Sequence, residues 1–79
     1  MMSCDQHDYV EIACLYRYVV KLTLKSGEEV TGIALDTRRN TQRQECIAIH
    51  HIDNLVVLDA VATMEALVEN PHFKVITFT

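Results

Sequence analysis

Two periodicities divide the chain. Between residues 4 and 17 apolar side chains recur at helical spacing. At 100° per residue Tyr9, Ile12, Ala13 and Tyr16 share one side, Val10 and Cys14 widen it, and Asp8, Glu11 and Leu15 fall together on another. Ser3 or Asp5 can cap this segment, each followed three positions later by Gln6 or Asp8, and acidic side chains in a first turn suit the positive end of a helix dipole. The pattern predicts a helix over 4–17 with a core face and an acidic edge.

From Tyr18 the period becomes two. In YVVKLTLK, Val20, Leu22 and Leu24 share one face and Val19, Lys21 and Thr23 the other, as in a half-buried strand. Ser26-Gly27 turns the chain into EEVTGIAL, a second strand whose Gly32 suggests a bulge or sharp bend. TRRNTQRQ, residues 37–44, is polar throughout and reads as a loop, and ECIAIH and LVVL follow as two further strands joined by HIDN. Residues 59–69, DAVATMEALVE, mix helix formers with Val61 and Thr63 and are read as a strand or short turn rather than a helix. Asn70-Pro71 breaks the chain before a final alternating strand, FKVITF. A helix followed by about five short antiparallel strands predicts a mainly β domain, a small Sm-like barrel with an OB-like barrel as its competitor, closed because a small open sheet leaves edges prone to pairing.

Length and composition narrow this further. Seventy-nine residues form one domain, 1–79, with the helix at 4–17 and the barrel at 18–79. A chain of this size buries only about 60–65% of its unfolded surface and has little room for an enclosed active site. Three cysteines, Cys4, Cys14 and Cys46, are too few and odd in number for a disulfide framework, so free thiols in a reducing cytoplasm are expected. The start lacks the basic and apolar segments of a secretory signal, and no apolar run reaches the ~20 residues of a membrane span. A cytoplasmic protein without membrane contact follows.

Candidate chemistry fares poorly against the spacing. Cys4-x-x-His7 has the form of half a zinc site, but Cys46 and His50 would lie roughly 13 Å apart on an extended strand, and His50 and His51 would face opposite ways. Cys4 and Cys14 would be ~15 Å apart along a helix and cannot bridge. No nucleophile-base motif or phosphate-cradling glycine loop is present. No metal, cofactor or catalysis is expected, and Cys14 and Cys46 are read as small buried hydrophobes.

Charge is more informative. The net charge is −4, with Asp5, Asp8 and Glu11 ahead of the first basic residue, and no Lys or Arg between Gln44 and Phe73. That sign opposes a whole-protein nucleic-acid footprint and suggests either a basic protein partner or simply a soluble, acidic surface, between which the pattern alone does not choose. Arg38, Arg39 and Arg43 form the exception, but no aromatic side chains alternate with them to make a stacking platform.

The order CD-x-x-D-x-x-E-I-A-C at residues 4–14, then LTLKSGEEV, Asp36 ahead of a basic segment, Leu58-Asp59 and NPHFKVITF, resembles the Rof (YaeO) family of Rho-binding antiterminators. The resemblance runs through nearly the whole chain. It implies a helix on an Sm-like barrel that binds the N-terminal, primary RNA-binding region of the termination factor Rho and blocks RNA capture. Asp5, Asp8 and Glu11 would face Lys or Arg of Rho, with Tyr9 and Leu15 in short-range contact, and Arg38, Arg39, Asn40 and Arg43 as secondary contacts. The free protein is expected to be a monomer that does not bind RNA; the alternative is an Sm-like RNA-binding module using the 37–44 arginine loop.

Overall fold

The computed structural model describes the backbone of residues 4–78 and the side chains of residues 5–78; Ser3, one of the two expected helix caps, lies outside the described residues. Helix α1 spans Cys4–Leu15. The strands are β1 (Val19–Leu24), β2 (Glu29–Arg39), β3 (Glu45–Ile49), β4 (Val56–Val57), β5 (Val61–Ala66) and β6 (Val75–Thr77), with a 3-10 turn, Leu58–Ala60, between β4 and β5. All pairings are antiparallel, and the sheet order is β4-β3-β2-β1-β5-β6. The protein is therefore mainly β with one helix, as expected, although with six strands. The 59–69 segment is mostly strand β5.

The connection from β4 to β5 shows how strongly the sheet bends. In a flat sheet these strands would be four spacings apart, about 19 Å. Only Leu58–Ala60 joins Val57 to Val61, and a 3-10 turn rising ~2.0 Å per residue spans about 8 Å over those four steps. The sheet must curl back on itself, barrel fashion. Its long strand makes this possible. The first part of β2 pairs with β1, from Glu29 to Ile33, and the rest pairs with β3, from Ala34 to Arg39, with the register shifting between Ala34 and Asp36. The irregularity thus falls at Leu35 and not at Gly32, which pairs regularly with Val20. Gly32 serves a different need, since a Cβ there would meet Ile49 Cγ2 at 2.5 Å where β3 crosses close behind.

Helix α1 is shorter than the predicted 4–17. Arg17 adopts a left-handed φ of 54°, so that Arg17 N–H donates to Cys14 O at 3.2 Å and Tyr18 N–H to Ala13 O at 2.9 Å. This paired closure is the Schellman arrangement, which satisfies the last carbonyls and sends the chain into β1. Tyr16, whose N–H still donates to Ile12 O at 3.1 Å, is exposed at the end of the helix. The core stripe runs instead through Val10, Ala13 and Cys14, which the periodicity had placed at its centre or margins. They pack with Val20, Leu22, Ile47, Ile49, Leu58, Val61 and Met64 from the sheet. Each large side chain so buried contributes about 1.5–3 kcal/mol. Cys14 and Cys46 are both free and buried, and in β3 Cys46, Ile47, Ala48 and Ile49 are all buried, so this strand is covered on both faces.

Candidate protein-binding face

The side of α1 turned away from the core carries the predicted residues. Asp5, Asp8, Glu11 and Leu15 are exposed, Leu15 by 73%, while Tyr9 is half-buried. The sheet adds what the helix alone does not reveal. Where β2 passes alongside α1, a cleft of about 580 Å³ opens between them, lined by Asp8, Glu11, Ile12, Cys14, Leu15, Leu35, Asp36 and Thr37. Its floor is apolar and three carboxylates stand around it. The Leu35 irregularity lies in this wall, where the pairing of β2 with β3 shifts. Leu35 and Asp36 line the cleft, and periodicity could not find them. The only signal was the family-like placement of Asp36, because nothing local says that β2 runs beside the helix.

Cys14 reports the electrostatics of the cleft. Its thiol is pushed up to about 11, chiefly by burial, then by the negative charge of Asp36 and, more weakly, of Glu11, against the opposing effect of Arg17. Held protonated in this way, the thiol is a weak nucleophile at neutral pH. Only the smaller part of this shift, from Asp36 and Glu11, reflects negative potential at the cleft.

His7 clamps the face in place. Its Nε2 lies 2.7 Å from Glu45 Oε2 on β3, and its Nδ1 lies 3.2 Å from Glu11 Oε1 one helical turn on. Gln6 Nε2 donates to Thr77 O on β6 at 2.9 Å, so successive helix residues tie α1 to β6 and β3, which lie on either side of the β2–β1 pair in the strand order.

The arginines do not form the single loop that 37–44 suggested. Arg38 and Arg39 belong to β2, opposite Cys46 and Glu45 of β3, and as consecutive strand residues their side chains leave opposite faces. Arg38 Nε is 3.8 Å from Asp36 Oδ2. Only residues 40–44 turn. There the Asn40 Oδ1 accepts from Gln42 N–H and Gln44 N–H, both at 2.9 Å, and its Nδ2 donates to Gln44 Oε1. Asn40 is occupied in shaping the turn, and Arg43 follows with a left-handed φ of 63°. Thr37, Arg38 and Arg39 line a shallow cleft of about 210 Å³ with His7 and Glu45, where a carboxylate already answers the positive charge.

Among the described residues, no three His, Cys, Asp or Glu side chains are grouped so as to hold a metal ion, and the Cys4 side chain of the Cys4-x-x-His7 pattern lies outside the described residues. No described helix is long and apolar enough to cross a membrane.

The protein is thus a short helix seated on a curled antiparallel sheet, with carboxylates and an apolar floor open to solvent along their junction. Over residues 1–78 the chain matches the family described as modulator of Rho-dependent transcription termination (ROF), and it belongs to that family. A solved structure, YaeO bound to magnesium from Vibrio cholerae O395, is 53% identical and aligns with a TM-score of 0.86 over 94% of this chain and 99% of its own. A search of curated proteins finds no match. The family is a regulatory one that acts on termination by Rho.

Proposed function

We propose that this protein binds Rho at its primary RNA-binding region and inhibits Rho-dependent termination by occupying that region in place of RNA. The observation that carries this reading is the cleft between α1 and β2, with Asp8, Glu11 and Asp36 around a floor that includes Leu15 and Leu35. A surface that captures RNA presents Lys and Arg to phosphates. Carboxylates distributed along a rigid helix can meet the same side chains, and an apolar floor adds the short-range contact that charge alone lacks. Asp5, Asp8 and Glu11 pair with basic residues of Rho, Tyr9 and Leu15 bury against them, and the protein acts by occlusion without chemistry. Arg38, Arg39 and Arg43 contribute at the margin. The free protein is a monomer.

The test is competition. A fluorescent pyrimidine-rich RNA bound to Rho is titrated with the wild-type protein and with Asp8→Lys and Glu11→Lys. Wild type releases the RNA, the two variants release it poorly while keeping the wild-type circular dichroism spectrum, and added salt weakens the wild type. Charge-reversed variants that compete as well as wild type at low salt would sink the acidic-helix reading. Retention of the RNA by this protein alone would favour the RNA-binding module instead.

A further inference from the structure

Around α1, at 100° per residue, Tyr9, Asp5, Ile12, Asp8, Leu15 and Glu11 succeed one another. The β2 cleft takes the Glu11 side of this series. On the Tyr9 side lies a second cleft, of about 390 Å³, lined by Asp5, Asp8, Tyr9, Ile12, Pro71 and His72. Asp8 and Ile12 belong to both, so the two clefts lie astride one ridge of the helix.

The far wall of the second cleft is held rigidly. Asn70 Oδ1 accepts from His72 N–H at 2.9 Å and Phe73 N–H at 3.0 Å, and its Nδ2 donates to Val68 O at 3.0 Å and Phe73 O at 3.1 Å. Phe73 turns inward against Tyr9, with ring centroids 5.6 Å apart, and against Tyr18 at 6.1 Å. Pro71 and His72 are left exposed. The His72 ring lies nearly parallel to Tyr16, 5.4 Å away, and Tyr16 lies nearly parallel to Tyr18 at 5.7 Å. This three-ring stack fixes the plane of an exposed imidazole.

What would fit such a cleft is narrow in kind. Its walls are a fixed ring, a pyrrolidine, a tyrosine and an isoleucine; its charges are two carboxylates; no Lys or Arg lines it. A phosphate would be repelled. An uncharged aromatic ring would bury Asp5 and Asp8 without a partner. A lysine ammonium has the right sign but no flat face and no fork to share between two carboxylates. A guanidinium has both, stacking on rings while its N–H groups reach the acids.

The geometry points to an arginine-binding site between α1 and the Asn70–Phe73 corner, in which a guanidinium of the partner lies against His72 and pairs with Asp5 and Asp8. The inference rests on the proposal that this face of α1 meets Rho, whose arginine would be the occupant; together the two clefts would then grip two basic side chains on either side of Asp8. Pro71 and His72 become specificity-determining residues of the interface.

Two measurements at pH 8 separate the site from the partner. In the first, acetyl-arginine amide and acetyl-lysine amide are titrated into the isotope-labelled protein and into His72→Ala, whose unchanged amide spectrum would show an intact fold. The arginine compound should shift the Asp5, Asp8 and His72 resonances saturably, the lysine compound much less, and His72→Ala should lose the difference. In the second, His72→Ala and Asp5→Asn should each bind purified Rho about five- to tenfold more weakly. Equal responses to the two compounds, or shifts confined to Asp36 and Leu35, together with wild-type Rho binding by His72→Ala, would overturn the arginine site and leave the Rho proposal standing. Failure of the wild-type protein to bind Rho, with the arginine-selective shifts present, would remove the Rho proposal and keep the site.

Discussion

Nε2 of His7 on the helix and Oε2 of Glu45 at the start of β3 are 2.7 Å apart across 38 positions of sequence. With Glu11 on the other ring nitrogen, the imidazole links the acidic edge of α1 to the sheet. A neutral ring can donate to only one of these carboxylates and a protonated ring to both. All three side chains are substantially exposed, so the linkage is modest in energy. A double-mutant cycle with His7→Ala and Glu45→Ala, read by urea unfolding, should give a coupling of about 0.2–1 kcal/mol that shrinks in salt. Zero coupling at low salt would show that the clamp does not form in solution.

A tighter constraint lies behind the sheet. Gly32→Ala would place a methyl group 2.5 Å from Ile49 Cγ2 and 3.4 Å from His50 O. Ile49 is 2% exposed and hemmed in by the core, so it cannot simply swing aside. Overpacking of this kind destabilises by about 1–3 kcal/mol, more than alanine gains over glycine by restricting the unfolded chain. For a domain of this size each kcal/mol lowers Tm by roughly 4–8 °C. A thermal melt of Gly32→Ala at or above the wild-type Tm would contradict the close approach of β3.

Cys14 gives a prediction in pH. Its thiol titrates near 9.0 when unperturbed and is pushed up to about 11 in the folded protein, first by burial and then by Asp36. Folding therefore favours the protonated thiol. The associated stability is complete below pH 9 and is lost as pH rises from there through 11, because only the unfolded chain readily releases the proton. The difference in unfolding free energy between wild type and Cys14→Ala should narrow over that interval, and native Cys14 should react slowly with iodoacetamide at pH 8 yet rapidly in urea. Rapid native alkylation at pH 8 would mean that the thiol is not held in the cleft wall as described.

How much of this was legible in the chain depends on the range of the interaction. Helix α1, the β1–β2 hairpin and the acidic edge at Asp8 and Glu11 follow from local period and turn chemistry, and they stand where expected. The end of the helix was misplaced by two residues because an arginine, not a glycine, takes the left-handed closing position at Arg17. TRRNTQRQ looked like a loop since exposed strand and loop are both polar. Its first three residues are strand because β3 pairs with them, a contact no window of β2 contains. The Asp36 wall of the cleft was hidden for the same reason. The 59–69 segment resolved to strand because Leu22 and Thr23 of β1 pair with Met64 and Thr63, which overrides helix-favouring composition.

Asp36 is consequently the residue on which the docking face can be tested most sharply, since α1 alone gives no reason to choose it. Asp36→Lys and Asp59→Lys change the net charge equally. Both positions are exposed, but Asp59 sits in the 3-10 turn and lines none of the clefts beside α1. If Rho is drawn to this protein only by overall negative charge, the two variants should weaken binding alike, through the association rate and with the same salt dependence. If Asp36 meets a basic side chain inside the cleft, Asp36→Lys should weaken binding about tenfold or more, chiefly through faster dissociation, while Asp59→Lys loses little beyond the long-range effect. Asp36→Asn should fall between them, as it keeps the shape and removes the charge. Because Asp36 also raises the Cys14 thiol, Asp36→Asn should make native alkylation of Cys14 measurably faster near pH 10. That internal readout needs no Rho, so a variant that changes thiol reactivity but not Rho affinity would show the cleft to be formed as described and the partner to dock elsewhere.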